Sequence, residues 1–569
     1  MSFKALLTAI LGLLAFFITR IWVKRKTPLG PLPPGPQPKP IVGNIADLPP
    51  PGMQDWMHWL KHKDLYGRLK KLRLTVVFIF FVADMKMRPS VTVMGQTLVI
   101  LNDARSASEL LRKRASLYSS RPHMVFASEM QVQRPLFYFK TAKNKYQTIG
   151  AYINSLTGWP YTERFRAYRK LLKPYFGSER VVSQYAQLQE VEAHRFLWRV
   201  LKDQENLTQH IQTSEAGAVI LKIAYGYRVE PHKQDLLVNL ANVALEQFSI
   251  ASTPGTWLVD IIPALKYVPA WFPGAGFKRT ALEWRKGLED VAKKPYALVQ
   301  QRTKDGKYEP SFLSDIFKLN GIPSSGSEEE LVARWTTASL YGAGADTTVS
   351  SVGTFFLAMT LNPDVQHNAQ DEIDRVIGSG RLPTIADRDR LPYVNAVVKE
   401  VFRWHPVVPM GIPHMSTADD MYDGYYIPKG SILMPNIWGM MHDPALYHDP
   451  MAFKPERFLE IDGRGPEIDP HSFVFGFGRR ICPGRILADS TVWLSVAKSL
   501  TVFKISKPVE NGAEVDVKPE FQPGVISHPV RCKLQVTPRS AAHEELILLV
   551  EQEHPWEQGD GSELHKIRC

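Results

Sequence analysis

The run from Ser327 to Leu361 limits the fold more than any other feature of this sequence. Ser327-Glu328-Glu329-Glu330 reads as a capping box: a serine able to accept from an unpaired backbone N–H, with a glutamate three residues on. Apolar residues then recur at helical spacing to the end of the 35-residue run, against the ~10–14 residues of an average globular helix. A helix of that length predicts a body built around it, with the helix crossing the whole core. Helical patterns also dominate from the hairpin to about residue 300, with Pro254, Pro263, Pro269 and Pro273 marking turns, and return at Pro392–His405 and Ile486–Val502. Strand signals are few. They are a hairpin at Ser90–Asp103 turning at Gly95-Gln96, short runs before Pro470, and closing strands near Pro538. The expected fold class is mainly α with a small β part, in one body over residues 41–540. An acidic tail, 541–569, is expected as dispensable surface. With 44% hydrophobic and 22% charged residues among 569, nothing prevents a large core. Three cysteines (Cys482, Cys532, Cys569) are too few for a disulfide framework and indicate a reducing compartment.

The start of the chain carries a separate signal. Ala5–Val23 is apolar apart from Thr8, Thr19 and Arg20, close to the ~20 residues that cross a bilayer core. Lys24-Arg25-Lys26 follows directly, which places the rest of the chain on the cytosolic side. A cleaved signal peptide would carry its charges ahead of the apolar run, where only Lys4 stands. Residues 1–26 are therefore read as one transmembrane anchor. Residues 27–40, with Pro33-Pro34-Gly35-Pro36, form a stiff Pro-rich hinge that cannot be helical.

The chemistry concentrates in Phe475-Gly476-Phe477-Gly478-Arg479-Arg480-Ile481-Cys482-Pro483-Gly484. Glycines at 476, 478 and 484 let backbone come close to the Cys482 sulfur and turn N–H groups toward it, and a helix opening near Gly484 adds its positive end. A lone cysteine is usually a buried structural one. Here the whole string fits F-x-x-G-x-R-x-C-x-G, and on it the chain resembles the cytochrome P450 superfamily from the anchor to about Ser540. Ser120-Arg121-Pro122-His123 and Pro269-Ala270-Trp271-Phe272-Pro273-Gly274 are similar to fungal microsomal members of the O-methylsterigmatocystin oxidoreductase-like group.

The resemblance implies a P450 fold holding haem b, with Cys482 as the axial ligand to iron, Arg480 paired with a propionate and Phe475 packed on the proximal face. Phe165–Lys170 resembles the family's W-x-x-x-R helix motif, with Phe165 in place of tryptophan. Arg169 then serves a propionate, and His414 is a further candidate. Ala343-Gly344-Ala345-Asp346-Thr347-Thr348 lies midway along the long helix, where glycine costs about 1 kcal/mol relative to alanine. Thr347 is expected to bond back to the Ala343 carbonyl and open a groove. Asp346 and Thr347 match the family's acid–alcohol pair for proton delivery, while a small-residue helix contact is the plainer alternative. Glu400, Arg403 and Arg457 match a buried structural network. The neutral runs Val407–Gly411 and Gly524–Ile526 suggest an apolar small-molecule substrate.

The family's electron source is NADPH through NADPH–cytochrome P450 reductase, with cytochrome b5 as a second donor, at the endoplasmic reticulum membrane. No nucleotide-binding fingerprint appears in the chain. The net charge of +12 does not point to nucleic acid, because most of it lies in two stretches that interrupt the family-like pattern. Residues 68–88 hold six basic residues and one acidic; residues 131–153 hold four basic and none acidic. Both are read as insertions, either translated introns or membrane-contact loops. Two rival functions stay open: a haem-thiolate isomerase or dehydratase, and a non-catalytic haem-binding protein disabled by the insertions.

Overall fold

The computed structural model describes residues 30–37, 43–50, 52–66, 69–74, 96–127, 160–211, 217–252, 256–461 and 463–567. The elements used below are, in chain order, α1 (Asp55–Tyr66), β1 (Leu69–Leu74), β2 (Gln96–Leu101), α2 (Glu163–Phe176), α3 (Ala186–Lys202), α4 (Val219–Tyr225), α5 (Leu236–Ser252), α6 (Gly276–Lys304), α7 (Glu328–Leu361), α8 (Pro363–Val376), α9 (Pro392–Trp404), β3 (His414–Met415), β4 (Ile432–Pro435), α10 (Arg485–Val502), β5 (Phe503–Ser506), β6 (Gln535–Pro538) and α11 (Ala541–Leu548).

The 34 residues of α7 run about 51 Å through the middle of the molecule. Ser327 Oγ caps it by accepting from Glu330 N at 3.1 Å, and Glu330 Oε2 accepts from Gly326 N at 2.5 Å, one residue earlier than in the expected box. Its second half is buried on every side, which a helix reaches only when neighbours surround it. The buried threonines along the helix are satisfied locally: Thr336, Thr337, Thr354 and Thr360 each donate to the carbonyl four residues back. Two apolar clusters meet along the helix. One joins α3, α8, α9 and α10 to its C-terminal half through Phe196, Phe355, Phe356, Val397 and Trp493. The other joins α2, α4, α5 and α6 to its N-terminal half through Leu172, Leu221, Leu237 and Tyr341. The functional cavity lies at the seam between them.

The main sheet has the order β1-β2-β4-β3, with β1 antiparallel to β2, β2 parallel to β4, and β3 antiparallel to β4. The partner of Gln96–Leu101 is thus Leu69–Leu74, from farther back than the hairpin expected within Ser90–Asp103; residues 90–95 lie outside the described set. β1 closes one edge of this sheet. β5 and β6 form a second, two-stranded sheet.

The tail departs from its expected role as surface. Leu546, Ile547, Val550 and Leu564 are buried, and Leu546 O is 2.8 Å from His194 Nε2 on α3. Asp560 is paired with Arg302 at 2.8 Å and accepts from Arg228 N at 2.8 Å, while Arg195 and Arg199 lie over the Trp556 ring. Its acidic residues thus meet Arg228 and, on α6, Arg302, a complementarity that composition alone does not display. Residues 30–37 of the hinge are also tied to the body, since Pro31 O accepts from Tyr426 N at 2.7 Å. Among the described residues no helix is long and apolar enough to cross a membrane. The anchor expected at residues 5–23, residues 75–88 and the stretch 131–153 all lie outside the described residues.

Candidate active site

The loop before α10 is shaped by its glycines. Gly476 and Gly478 have positive φ (81° and 53°), and a Cβ on Gly478 would run into Leu111 O, so only glycine lets the loop lie this close to residues 108–118. Cys482 N donates to Phe475 O at 2.8 Å and closes the loop. Gly484 is the N-cap of α10. Burial pushes the Cys482 thiol up, while the Gly484 N–H and the charges of Arg169 and Arg485 act in the opposite direction. The Phe475 ring meets Phe402 of α9 edge-on, with centroids 5.5 Å apart. Beside it His471 bridges Asp469 and Asp489 at 2.7 and 2.8 Å. Burial would lower its pKa, but the two carboxylates hold it at about 9.

Cys482 opens onto a cavity of 360 Å³, and cations gather on its wall. Arg480 donates from Nε to Ser119 O at 2.7 Å and lies 3.8 Å over the Phe165 ring. The phenyl that replaces the family's indole therefore serves as a cation–π platform. Arg169 donates to Ile481 O at 2.8 Å. His414 is buried on β3 with Nδ1 2.7 Å from Tyr118 O. A carbonyl only accepts, so the proton is on Nδ1. Arg121 is also present: fully enclosed, it donates to Ile412 O and Pro413 O at 2.8 and 2.7 Å. Burial lowers the pKa of all three guanidiniums and of His414, and their mutual repulsion lowers several further; Arg480 falls to about 9. Among the described residues no aspartate or glutamate lines the cavity.

The opposite wall is the middle of α7. Thr347 Oγ1 donates to Ala343 O at 2.7 Å, and both residues line the cavity. Gly344 has a second reason to be glycine, since a Cβ there would come within 3.0 Å of Ile220 on α4. Helix packing and the groove thus share one small residue. Asp346 does not line the cavity; its Oδ1 is 3.1 Å from His528 Nε2. Leu245, Phe248, Leu288, Val407, Val408 and Ile526 make the remaining wall apolar.

Glu400, Arg403 and Arg457 lie together but away from the cavity. Arg403 grips Glu400 with two bonds of 2.7 and 2.8 Å, and Arg457 Nε approaches the same carboxylate at 3.2 Å. Arg403 also donates to Met441 O, Pro450 O and Ala452 O, so every charge in this sealed cluster is met. Phe402, between Glu400 and Arg403, carries that rigidity to Phe475.

Sequence reasoning singled out Cys482, Arg480, Arg169, His414, Phe475 and Thr347, and the structure brings them onto one cavity. It missed Arg121, quoted only within a subgroup phrase, because its neighbours Ser119, Ser120 and His123 give no sign of burial. It missed His528 altogether, since nothing local links residue 528 to residue 346.

The family model described as Cytochrome P450 matches residues 86–536. The Cytochrome P450 monooxygenase ppsD of Aspergillus oryzae is 44% identical over 565 residues, covering 99% of both chains. The Cytochrome P450 monooxygenase claR of Ampulloclitocybe clavipes is 44% identical over 97% of this chain and 94% of its own. The O-methylsterigmatocystin oxidoreductase of Aspergillus flavus is 40% identical over 98% of this chain and 97% of its own.

Proposed function

The chain belongs to the cytochrome P450 family of monooxygenases, and on that premise we propose that it holds haem b at Cys482 and oxidises an apolar small molecule. The residues present suit such a group. Haem carries two carboxylates, and the charges meeting at the cavity are all positive: Arg121, Arg169 and Arg480, with His414 beside them. Two propionates relieve a repulsion that burial otherwise magnifies. The Cys482 sulfur sits in the glycine loop with the Gly484 N–H upon it, the environment a thiolate ligand requires. When bound, a thiolate-ligated haem supplies dioxygen activation, with electron density pushed toward O–O cleavage.

The remaining work falls to side chains. Phe475 packs beside the group and, through Phe402, ties it to the Glu400 cluster. Thr347 donates its hydroxyl proton to Ala343 O and faces the cavity with the hydroxyl oxygen, where in this reading it accepts and passes on protons that Asp346 resupplies. Leu245, Phe248, Leu288, Val407, Val408 and Ile526 hold an apolar substrate and keep bulk water out. Hydroxylation consumes the substrate C–H, dioxygen, two electrons and two protons, and yields the alcohol and water. The electrons come from NADPH through NADPH–cytochrome P450 reductase, with cytochrome b5 as a second donor.

The observation that carries this reading is the convergence of Cys482, the three arginines and Thr347 on one cavity. The test compares metabolites of a strain with and without the gene, then turns the differing compound over with the full chain, reductase and heavy-isotope dioxygen. The expected product holds one labelled oxygen and requires NADPH. An unlabelled, rearranged or dehydrated product formed without NADPH would favour the isomerase or dehydratase reading instead.

The same reading locates the protein at the endoplasmic reticulum membrane, single-pass through residues 5–23, with the catalytic body cytosolic. Its supports are the apolar run, the basic cluster after it, and the exposed apolar side chains of Leu258, Tyr267, Trp271 and Phe272 on the surface of the body. Alkaline carbonate should extract the chain lacking residues 1–26 and leave the full chain in the membrane. Residues 69–74 pair with β2 in the main sheet, which speaks against reading the whole of 68–88 as a translated intron. Residues 131–153 stay an insertion in this account, and full-length transcript sequencing decides whether mature message encodes both stretches.

A further inference from the structure

The loop at residues 521–529 is pinned unusually well for a surface turn. Ser350 Oγ of α7 donates to Ser527 O at 2.5 Å, Ser527 N donates to Val407 O at 2.9 Å, and Ser527 Oγ donates to Gln522 O at 2.7 Å. His405 Nε2 lies 2.8 Å from the same hydroxyl, with its ring stacked on Phe521. Pro529 rests against Gly353, where a Cβ would find it at 3.6 Å. These contacts fix the backbone on both sides of His528. Its Nε2 is held 3.1 Å from Asp346 Oδ1, and the pair retains 22% and 17% side-chain exposure. His405, a titratable group packed on this loop, is kept neutral by burial, so it brings no competing charge.

Thr347 faces the cavity, whereas Asp346, the next residue along the helix, reaches toward the loop and the solvent edge. A carboxylate that supplies protons to the cavity must itself be resupplied. The partly exposed imidazole in contact with it is built for that task. We propose that His528 is a positioning residue that orients Asp346 and passes it protons from solvent. The N–H bond at Nε2 of the imidazolium breaks as an O–H bond forms at Asp346 Oδ1, leaving neutral imidazole. The ring then turns outward and takes a proton at Nε2 from a solvent or buffer acid. No electrons move in either step. The proposal rests on the reading of Asp346 and Thr347 as the proton-delivery pair.

The test uses the full chain with haem in nanodiscs, with reductase and NADPH. Peroxide released per NADPH consumed, and its solvent isotope effect, are read with and without 7-ethoxycoumarin as an apolar probe. The partition is thus obtained whether or not the probe is dealkylated. Both His528→Ala and His528→Gln are expected to raise peroxide per NADPH at least two-fold, because glutamine keeps an N–H hydrogen bond to Asp346 but has no proton it can transfer near neutral pH. A His528→Gln protein that matches the parent in peroxide yield and isotope effect would overturn the relay. A second readout needs no turnover: modification of His528 by diethylpyrocarbonate, followed by mass spectrometry. Asp346→Ala should speed it several-fold by freeing Nε2, and equal rates would overturn the contact itself. Thr347→Ala separates the two levels of argument. If it leaves peroxide yield unchanged, the delivery pair fails; if it raises the yield while both His528 variants do not, only the role of His528 fails.

Discussion

Replacing Asp260 by asparagine should tighten the latch between residues 124–127 and the segment after α5 at neutral pH, and progressively less as pH falls toward 4. Asp260 sits on the short helix Leu258–Ile261, where its Oδ1 accepts from Phe126 N at 2.7 Å. Phe126 stacks on Trp257 at 3.6 Å and meets Trp284 edge-on, which joins residues 124–127 to the segment between α5 and α6. Burial raises the Asp260 pKa from 3.8 to about 6, with the Phe126 and Val125 N–H groups opposing the shift only in part. The sign follows from that direction. Above pH 6 the carboxylate is ionised in both closed and open forms, and the closed form bears the full cost of enclosing a charge. As pH falls through 6 the closed form takes up a proton that the open form does not yet bind, so the latch strengthens down to about pH 4. A shift of this size corresponds to about 3 kcal/mol, and solvent reaching a partly exposed carboxylate reduces it to about 1–3 kcal/mol. Asparagine keeps an acceptor for Phe126 N without the charge. Hydrogen–deuterium exchange of peptides covering 124–127 and 256–262, normalised to intrinsic rates, should slow in Asp260→Asn by about 5- to 100-fold at pH 7.5. The free-energy difference should fall to roughly half at pH 5 and vanish only below about pH 4. An equal ratio at both values, or faster opening of the variant at pH 7.5, would refute the argument.

Three further outcomes follow from buried groups. Glu400→Ala leaves Arg403 and Arg457 enclosed without their shared anion and should destabilise the protein by about 3–5 kcal/mol in urea unfolding, whereas a surface ion pair would lose under about 1 kcal/mol. Arg121→Ala removes one charged donor from the cavity and should speed haem transfer to apomyoglobin by roughly 10- to 100-fold, the equivalent of about 1.5–3 kcal/mol. Ending the chain at Ser540 strips Leu546, Ile547, Val550 and Leu564 from their packing, and should lower the melting temperature measurably, where a dispensable tail would leave it unchanged.

What could be read in advance followed the range of the interactions involved. The long helix was legible because capping and helical periodicity are local, and Ser327 does cap α7. The Thr347 back-bond was legible for the same reason: it spans one turn. The loop around Cys482 was legible because its glycines and its cysteine are neighbours in the chain. Contacts between distant segments were not. Leu69–Leu74 and Gln96–Leu101 pair across residues whose pattern suggested a nearer partner. The tail looked dispensable because its acidity was judged without the Arg228 and Arg302 that pair with it, and its Trp556 without the Arg195 and Arg199 that lie over the ring. Arg121 shows a third limit: a guanidinium buried for its charge looks the same in sequence as one on the surface.

The central claim is that Cys482 is the thiolate ligand of a haem, and the carbon monoxide difference spectrum of the reduced protein tests it most directly. The parent chain should show the red-shifted Soret band of thiolate ligation. Cys482→Ala should lose that band even where haem remains bound, while Cys532→Ala should keep it. A thiolate spectrum persisting in Cys482→Ala would contradict the assignment.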